Sequence, residues 1–362
     1  MNGENILVNY KSFTKRVSAN IMDRINYYII VRKYIDYIKK NFKNNYIHTY
    51  KIINNQTLLS IGKNIILEKK LGTGGYGVVY KAYFRLNSVK YRKLGKMFKM
   101  VVKICEITDK NKKEIEILTK LTALILKMVC PHFPISYGYL ICNKKNEKVY
   151  SKISSAISSY DRISSIKINP RFFSFRSKSN LYLIVNEYAN NTFPYMLEYI
   201  FKKYELNVAS FILNNMIIQC LISIIFFQKY IKMVHYDTHI YNFLVHYIKE
   251  GGYYHYNIYG KNYYLKNTGY LIVINDFGLA KPINKNLIKR DFKMFLLSLN
   301  KRLIKRNIEF ISQDLVNFLK NISLNKKYLY KYLFDFMHKY FPNNLITSKP
   351  SNIINKKPFI IS

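Results

Sequence analysis

Tryptophan is absent from the 362 residues and acids are scarce: 20 Asp and Glu stand against 59 Lys and Arg, a formal net charge of +39 with histidine neutral. A field of that sign disfavours cationic ligands and attracts anions, whether nucleic acid, acidic membranes, phosphorylated ligands or acidic proteins. Codon composition is the other source of the charge, because Lys, Asn, Ile, Tyr and Phe, all encoded by A/T-rich codons, crowd the chain; the lysines alone choose no partner. Cysteine is limited to Cys105, Cys130, Cys142 and Cys220. They show no C-x-x-C spacing and no adjacent histidine cluster, which excludes a zinc site and a disulfide framework and leaves reduced thiols in a cytosolic protein as the expectation. The first residues, "MNGENILVNYKSFTKR", lack the apolar core of a signal peptide. Uninterrupted apolar runs are missing too. The longest greasy stretch, Ser210 to Phe227, is broken by Asn214, Asn215 and Gln219, so it predicts a buried helix and not a membrane span of about 20 apolar residues. The chain is therefore expected to be soluble and cytoplasmic, with no transmembrane segment. No internal repeat is visible.

What the chain does contain excludes disorder. Hydrophobic residues make up 49% and aromatics 16%, with 35 tyrosines, a composition that collapses. The length suffices for one large domain or two lobes. Residues 1–60 predict a basic, Tyr-rich helical extension, with apolar positions at helical spacing between Ile25 and Ile38. From Ile61 the pattern changes to three short runs, "NIILEKKLG", "YGVVYKAYF" and "KMFKMVVKICEI", which predict antiparallel strands. Asn111 to Val129 has the three-to-four spacing of a helix. A Ser- and Lys-rich segment at about 143–180 predicts an insertion loop, solvated or a target of autophosphorylation. A Tyr/Gly-rich hairpin region follows the hydrophobic helix, at about 246–270, and the chain from Leu287 onward predicts basic, mostly helical structure.

Four short stretches carry chemistry. "LGTGGYGVVY" sets Gly72, Gly74, Gly77 and Val79 in the pattern G-x-G-x-x-G-x-V between two strand-like runs. Such a loop lets backbone approach phosphates where a Cβ would obstruct. A Rossmann loop would open a helix at that point; here a second strand follows, and a glycine-rich hairpin without ligand is the plain alternative. Lys103, on the third strand, supplies a cation for phosphates. Glu114 opens the apolar helix eleven residues later with Ile117 and Leu118 beyond it, and it is the carboxylate chosen to hold that ammonium, with Glu116 the competing choice. In "HYDTHIYN", Asp237 and Asn242 have the spacing of H-x-D-x-x-x-x-N, where the aspartate accepts the proton of an attacking hydroxyl and the asparagine binds metal. "NDFG" offers Asp276 as the second metal ligand.

Taken in this order, the motifs make the stretch from Ile61 to Leu299 resemble the protein kinases, and among them the divergent serine/threonine kinases of poxviruses and other large DNA viruses. The resemblance implies an α+β, two-lobed kinase-like fold: an antiparallel N-lobe with one helix at 61–188, a mainly helical C-lobe at 189–362, and ATP with Mg²⁺ as cofactors. It implies that the loop Leu71, Gly72, Thr73, Gly74, Gly75, Tyr76, Gly77 covers the nucleotide. Leu71, Val79, Val101 and Leu244 would sandwich the base, while Glu187 and Ala189 would meet adenine through backbone groups, with Asn186 at the gatekeeper position. Lys103, Glu114 and Asp237 would be catalytic, with Asn242 and Asp276 on metal. His235 would pack beneath Phe277. The implied partner is a protein with a Ser or Thr hydroxyl, and the implied place is the host cytoplasm or, for a viral protein, the virion. With these groups intact, Asp237→Ala or Lys103→Ala is expected to remove turnover with little loss of fold, and a pseudokinase is disfavoured.

The departures are as informative. Tyr236 replaces the arginine that grips an activation-loop phosphate. Only 15 positions separate Asp276 from Asp291, the aspartate that resembles the anchor of the catalytic loop; A-P-E is missing and no Ser, Thr or Tyr lies between them. Activity is therefore expected without loop phosphorylation. His239 stands in place of the usual lysine two residues after the catalytic aspartate, a feature shared with small-molecule phosphotransferases of the aminoglycoside and choline kinase type. Those enzymes generally lack the complete glycine loop and the D-F-G phenylalanine. The +39 charge supports a third reading, a basic nucleic-acid-binding module on a kinase scaffold.

Overall fold

A computed structural model describes residues 21–42, 46–51, 57–62, 64–74, 77–84, 98–142, 180–284, 287–305 and 326–362. The Ser/Lys-rich insert lies outside the described residues except for Asn180, as do Gly75 and Tyr76 of the glycine loop. Two units are distinguished, one within Ile25–Thr119 and Ile135–Tyr188, the other within Lys120–Pro134 and Ala189–Ser362 together with Arg24.

The first unit is a seven-stranded antiparallel sheet, ordered β1 (Ile47–Lys51), β2 (Thr57–Ile61), β3 (Ile65–Gly74), β4 (Gly77–Phe84), β5 (Phe98–Glu106), β7 (Leu181–Glu187) and, at the far edge, β6 (Ser136–Cys142). Register divides its side chains cleanly. Val78, Tyr80, Ala82, Val102, Ile104, Leu183 and Val185 share one fully buried face, whereas Val79, Lys81, Val101, Lys103 and Asn186 lie half-buried on the other. Helix α1 (Ile21–Asn41) covers the buried face with the stripe Ile30, Val31, Tyr34, Ile35 and Ile38. Tyr34 meets Phe84 edge-on at 4.9 Å, and its hydroxyl accepts from the Asn64 amide at 3.0 Å. Helix α2 (Asp109–Leu126) begins where the Thr108 hydroxyl caps the Asn111 amide at 3.2 Å.

The helical reading of residues 1–60 holds for α1 but not beyond it. β1 and β2 pair with each other and then with β3 through Leu59↔Leu67 and Ile61↔Ile65. "IHTYK" and "TLLSI" are short, rich in strand formers and lack a long period, and a hairpin of that size is stable only when a larger sheet takes its open edge.

In the second unit, α3 (Phe193–Lys203) leads into the 26-residue α4 (Leu206–Ile231), which ends at Lys232 in the left-handed conformation. α4 is the one described helix long and apolar enough to cross a membrane, and 78% of its most apolar window is buried inside the protein. Its polar breaks bind strands. Asn215 donates to Lys266 O at 2.7 Å; Gln219 donates to Tyr270 O at 2.9 Å and accepts from the Ile272 amide at 2.9 Å. Around α4 lie a three-stranded sheet of β8 (Asn191–Thr192), β10 (Phe243–Tyr247) and β13 (Tyr270–Ile274), and the pair β9 (Met233–Val234) with β14 (Lys281–Pro282). The Tyr/Gly-rich segment is a hairpin, β11 (Tyr253–Ile258) and β12 (Lys261–Lys266). Helices α5 (Ile288–Ile304) and α6 (Lys326–Tyr340) follow. The mostly helical expectation after Leu287 then needs amending, because β15 (Leu345–Ile346) and β16 (Phe359–Ile361) flank the hairpin, β16 in parallel. Strands of two or three residues carry no readable period; they exist because the hairpin edges need partners. The architecture is α+β.

Candidate functional site

Each unit gathers its own set of polar residues. In the first, Leu71, Gly72, Thr73 and Gly74 end β3, and Gly77 and Val79 begin β4, with Gly74↔Gly77 and Gly72↔Val79 paired. Gly77 is the position where glycine is obligatory: its φ is +156°, and a Cβ there would lie 2.6 Å from Ile104 O and 2.8 Å from the Cys105 Cβ. Gly72 has open space around it, so nothing in the protein itself requires its bareness. β5 presents Val101 and Lys103 on the half-open face. Lys103 Nζ donates to both oxygens of Glu114, at 2.8 and 2.6 Å, with side chains only 14% and 7% exposed. The capped start of α2 turns Glu114 inward beside Ile117 and Leu118, and Glu116 is exposed; the competing carboxylate points away. At the end of β7, the Glu187 amide donates to Ile135 O at 2.8 Å and its carboxylate accepts from the Ile135 amide at 3.1 Å. That N–H is already committed to the fold.

The second unit builds the "HYDTHIYN" loop around one buried carboxylate. Asp291, in the first turn of α5 and 0% exposed, accepts from the amides of His235 and Tyr236 and from Gln228 Nε2, each at 2.8 Å. The Thr238 hydroxyl donates to Asp291 O, and Ser298 Oγ accepts from the Ile240 amide at 3.0 Å. Asn242 closes the turn Ile240–Asn242 and donates to Asp237 O at 2.7 Å and Asp237 Oδ2 at 3.1 Å. Its amide nitrogen is thus spent on Asp237, leaving the side-chain oxygen for other work. The register Phe243↔Ile274 sets Asn242 beside Asn275, whose amide donates to Asn242 O at 2.8 Å. Asp276 comes next, with φ +63°. Asn242 and Asp276 are therefore neighbours across a ladder even though 34 positions and the β11–β12 hairpin lie between them.

No protein-family model and no curated protein matches the chain.

The two residues of the second unit that could hold a hard divalent cation, Asn242 through Oδ1 and Asp276 through its carboxylate, are both oxygen donors. Among the described residues no cluster of three or more His, Cys, Asp or Glu has a metal-binding arrangement; the donor set suits a cation that keeps waters or a phosphate in its remaining positions. His239 Nε2 stands 3.5 Å from Asp237 Oδ2, beyond a well-formed hydrogen bond. His235 is fully buried, meets Phe277 edge-on at 5.2 Å and touches Asn275 O through Nε2 at 2.9 Å. Burial pulls its pKa below the ordinary 6.5, which suits a packing role. Phe277 stacks in turn on Phe227 at 5.3 Å. Leu244 lies half-buried on β10, opposite Thr192 and Val273, and Ala189 is the first residue of this unit in the chain after Tyr188.

Sequence reasoning missed three parts of this arrangement. Gln228 joins α4 to Asp291 and also accepts from the Tyr330 hydroxyl at 3.0 Å; its one signal is a polar residue placed within "IIFFQKY". Ser298 gives no signal. The third is the setting of Tyr236. Its φ is +71°, an outlier for a bulky residue, and Lys281 Nζ and Arg290 Cζ lie 3.8 and 3.9 Å from its ring centroid. Two cations at those heights cannot share a face, so the ring is sandwiched.

Proposed function

We propose that the chain is an ATP-dependent serine/threonine protein kinase with a two-lobed kinase-like fold, active without phosphorylation of its activation segment. The observation that carries the reading is the Lys103–Glu114 pair: a bidentate ion pair, almost fully desolvated, on the half-open face of the sheet beneath a glycine-bearing β3–β4 turn. Burying two charges costs several kcal/mol each before their attraction offsets it, so the pair is poorly explained as a stabilising device and well explained as a held phosphate-binding cation. In support, the second unit offers a carboxylate, Asp237, oriented by Asn242 and by a loop tied to Asp291.

The chemistry then falls to positioning and charge. Glu114 fixes the Lys103 ammonium, which holds the α- and β-phosphates, and the backbone around Gly74 and Gly77 approaches them without a Cβ in the way. Asp237 accepts the proton of the Ser or Thr hydroxyl as its oxygen attacks the γ-phosphorus and the bond to the β-phosphate oxygen breaks, giving ADP and a phosphoester. Asn242 holds Asp237 in place through its amide nitrogen and offers its oxygen to metal beside Asp276. Mg²⁺, when bound, neutralises the phosphate oxygens.

The test is incubation of the full chain with labelled ATP and Mg²⁺ against basic and acidic model proteins, an aminoglycoside and duplex DNA, beside Asp237→Ala. Transfer to a protein hydroxyl, reduced about a thousandfold in the variant, is the expected result. Transfer only to the aminoglycoside, or salt-sensitive DNA binding with no transfer at all, would overturn it.

A further inference from the structure

The sheet face that carries Lys103 also carries a polar atom that nothing satisfies. Asn186 lies directly opposite Val101 in the β5/β7 ladder, and Val101 precedes Lys103 by two residues on its strand. The amide and the lysine therefore rise from one face on a diagonal, with Cβ atoms roughly 7 Å apart. On the other side Asn186 faces Ser136. Its Oδ1 is shut off from solvent and has no hydrogen-bond partner among the described residues. Buried polar atoms are satisfied in the great majority of native structures. A leucine here would remove the deficit and suit the neighbours Val101 and Ile184, yet the position is polar. The face is otherwise open enough to admit a flat ring, since Val79, Val101 and Asn186 are all half-buried.

We infer that Asn186 is a specificity residue that reads the nucleobase, its carboxamide oxygen accepting a hydrogen bond from the exocyclic amino group of a 6-aminopurine. The inference rests on the reading of Lys103 as the phosphate-holding lysine. A 6-oxopurine would present a carbonyl oxygen at the same place. Two acceptors would then face each other away from water, which a site built for hydrogen bonding penalises far more than a missing contact in an apolar pocket.

Calorimetric titration of the full chain with Mg-ATP and with Mg-GTP tests this directly. The wild type is expected to bind ATP at least about tenfold more tightly than GTP. Asn186→Leu narrows the ratio to within about threefold, and Asn186→Asp, which keeps an acceptor oxygen, retains the preference even as total affinity falls. A wild-type protein with no preference, or a preference that Asn186→Leu leaves unchanged, overturns the base-reading role while nucleotide binding stands. A preference for GTP that Asn186→Leu abolishes overturns the acceptor assignment, because the amide then presents its nitrogen. Failure of either nucleotide to bind overturns this role and the kinase reading together.

Discussion

Both oxygens of Glu114 are spent on one ammonium, and that has a cost visible at the scale of single residues. Lys103→Ala is expected to abolish phosphoryl transfer, and also to lower stability by about 2 to 3 kcal/mol, because it strands a carboxylate only 7% exposed; urea denaturation of the variant measures the loss. The sequence suggested a harmless deletion there. Asp237 differs, being 25% exposed, so its removal is expected to leave the denaturation midpoint within about 0.5 kcal/mol of wild type. His132 is a residue to which no motif points. It is buried in the second unit between Ile272 O, 2.9 Å from Nδ1, and the Tyr256 hydroxyl, 2.7 Å from Nε2, and burial pushes its pKa down to about 4 from the ordinary 6.5. Below pH 6.5 the unfolded chain takes up a proton that the folded chain refuses, so stability falls as pH drops from 6.5 toward 4 and levels off below. The contribution lost by pH 5 is about 2 kcal/mol. Urea midpoints at pH 7 and pH 5 are expected to differ less in His132→Asn than in wild type; the depressed His235 leaves part of the slope in place.

At the scale of elements, the loop after β9, strand β14 and the first turn of α5 meet at Tyr236. The strained ring is held by Lys281 and Arg290 on its two faces and by Asp291 at its amide, so three elements share one side chain. Two cation–π contacts contribute about 1 kcal/mol each at an exposed site. Tyr236→Leu is expected to lose about 1 to 2 kcal/mol of stability and to lower kcat with little change in the KM for ATP, while Tyr236→Phe restores both; thermal unfolding and steady-state kinetics of the two variants separate the outcomes. Legibility also divides at this scale. α2 and α4 were readable because their periods run over many residues, and β3, β4 and β5 because β-branched and aromatic runs alternate with glycine. β1, β2, β15 and β16 were not, since two to five residues carry almost no pattern and their pairing is decided by the open edge each one finds. The stripe of α1 was readable as helix, but not its role as cover for the buried face of the sheet.

For the whole molecule, the short span from Asp276 to Asp291 and the occupation of Tyr236 by two built-in cations agree on a catalytic loop that is tied in place without phosphate. Phosphatase-treated protein is accordingly expected to keep its full rate of transfer, measured against untreated protein; a rate that recovers only after treatment by another kinase would sink this expectation. The sequence by itself determined the α+β composition, the order and spacing of Lys103, Glu114, Asp237, Asn242 and Asp276, and the burial of α4, because helical and strand periods and motif spacings are local quantities written into neighbouring residues. Tertiary structure alone decided that Glu114 and not Glu116 takes the lysine, that Gln228, Ser298 and Asp291 brace the loop, that Tyr236 lies between two cations, and that Asn186 keeps an unsatisfied oxygen. Each of those depends on sheet register or on the direction of a side chain packed against residues far away in the chain, and neither is encoded at any fixed spacing.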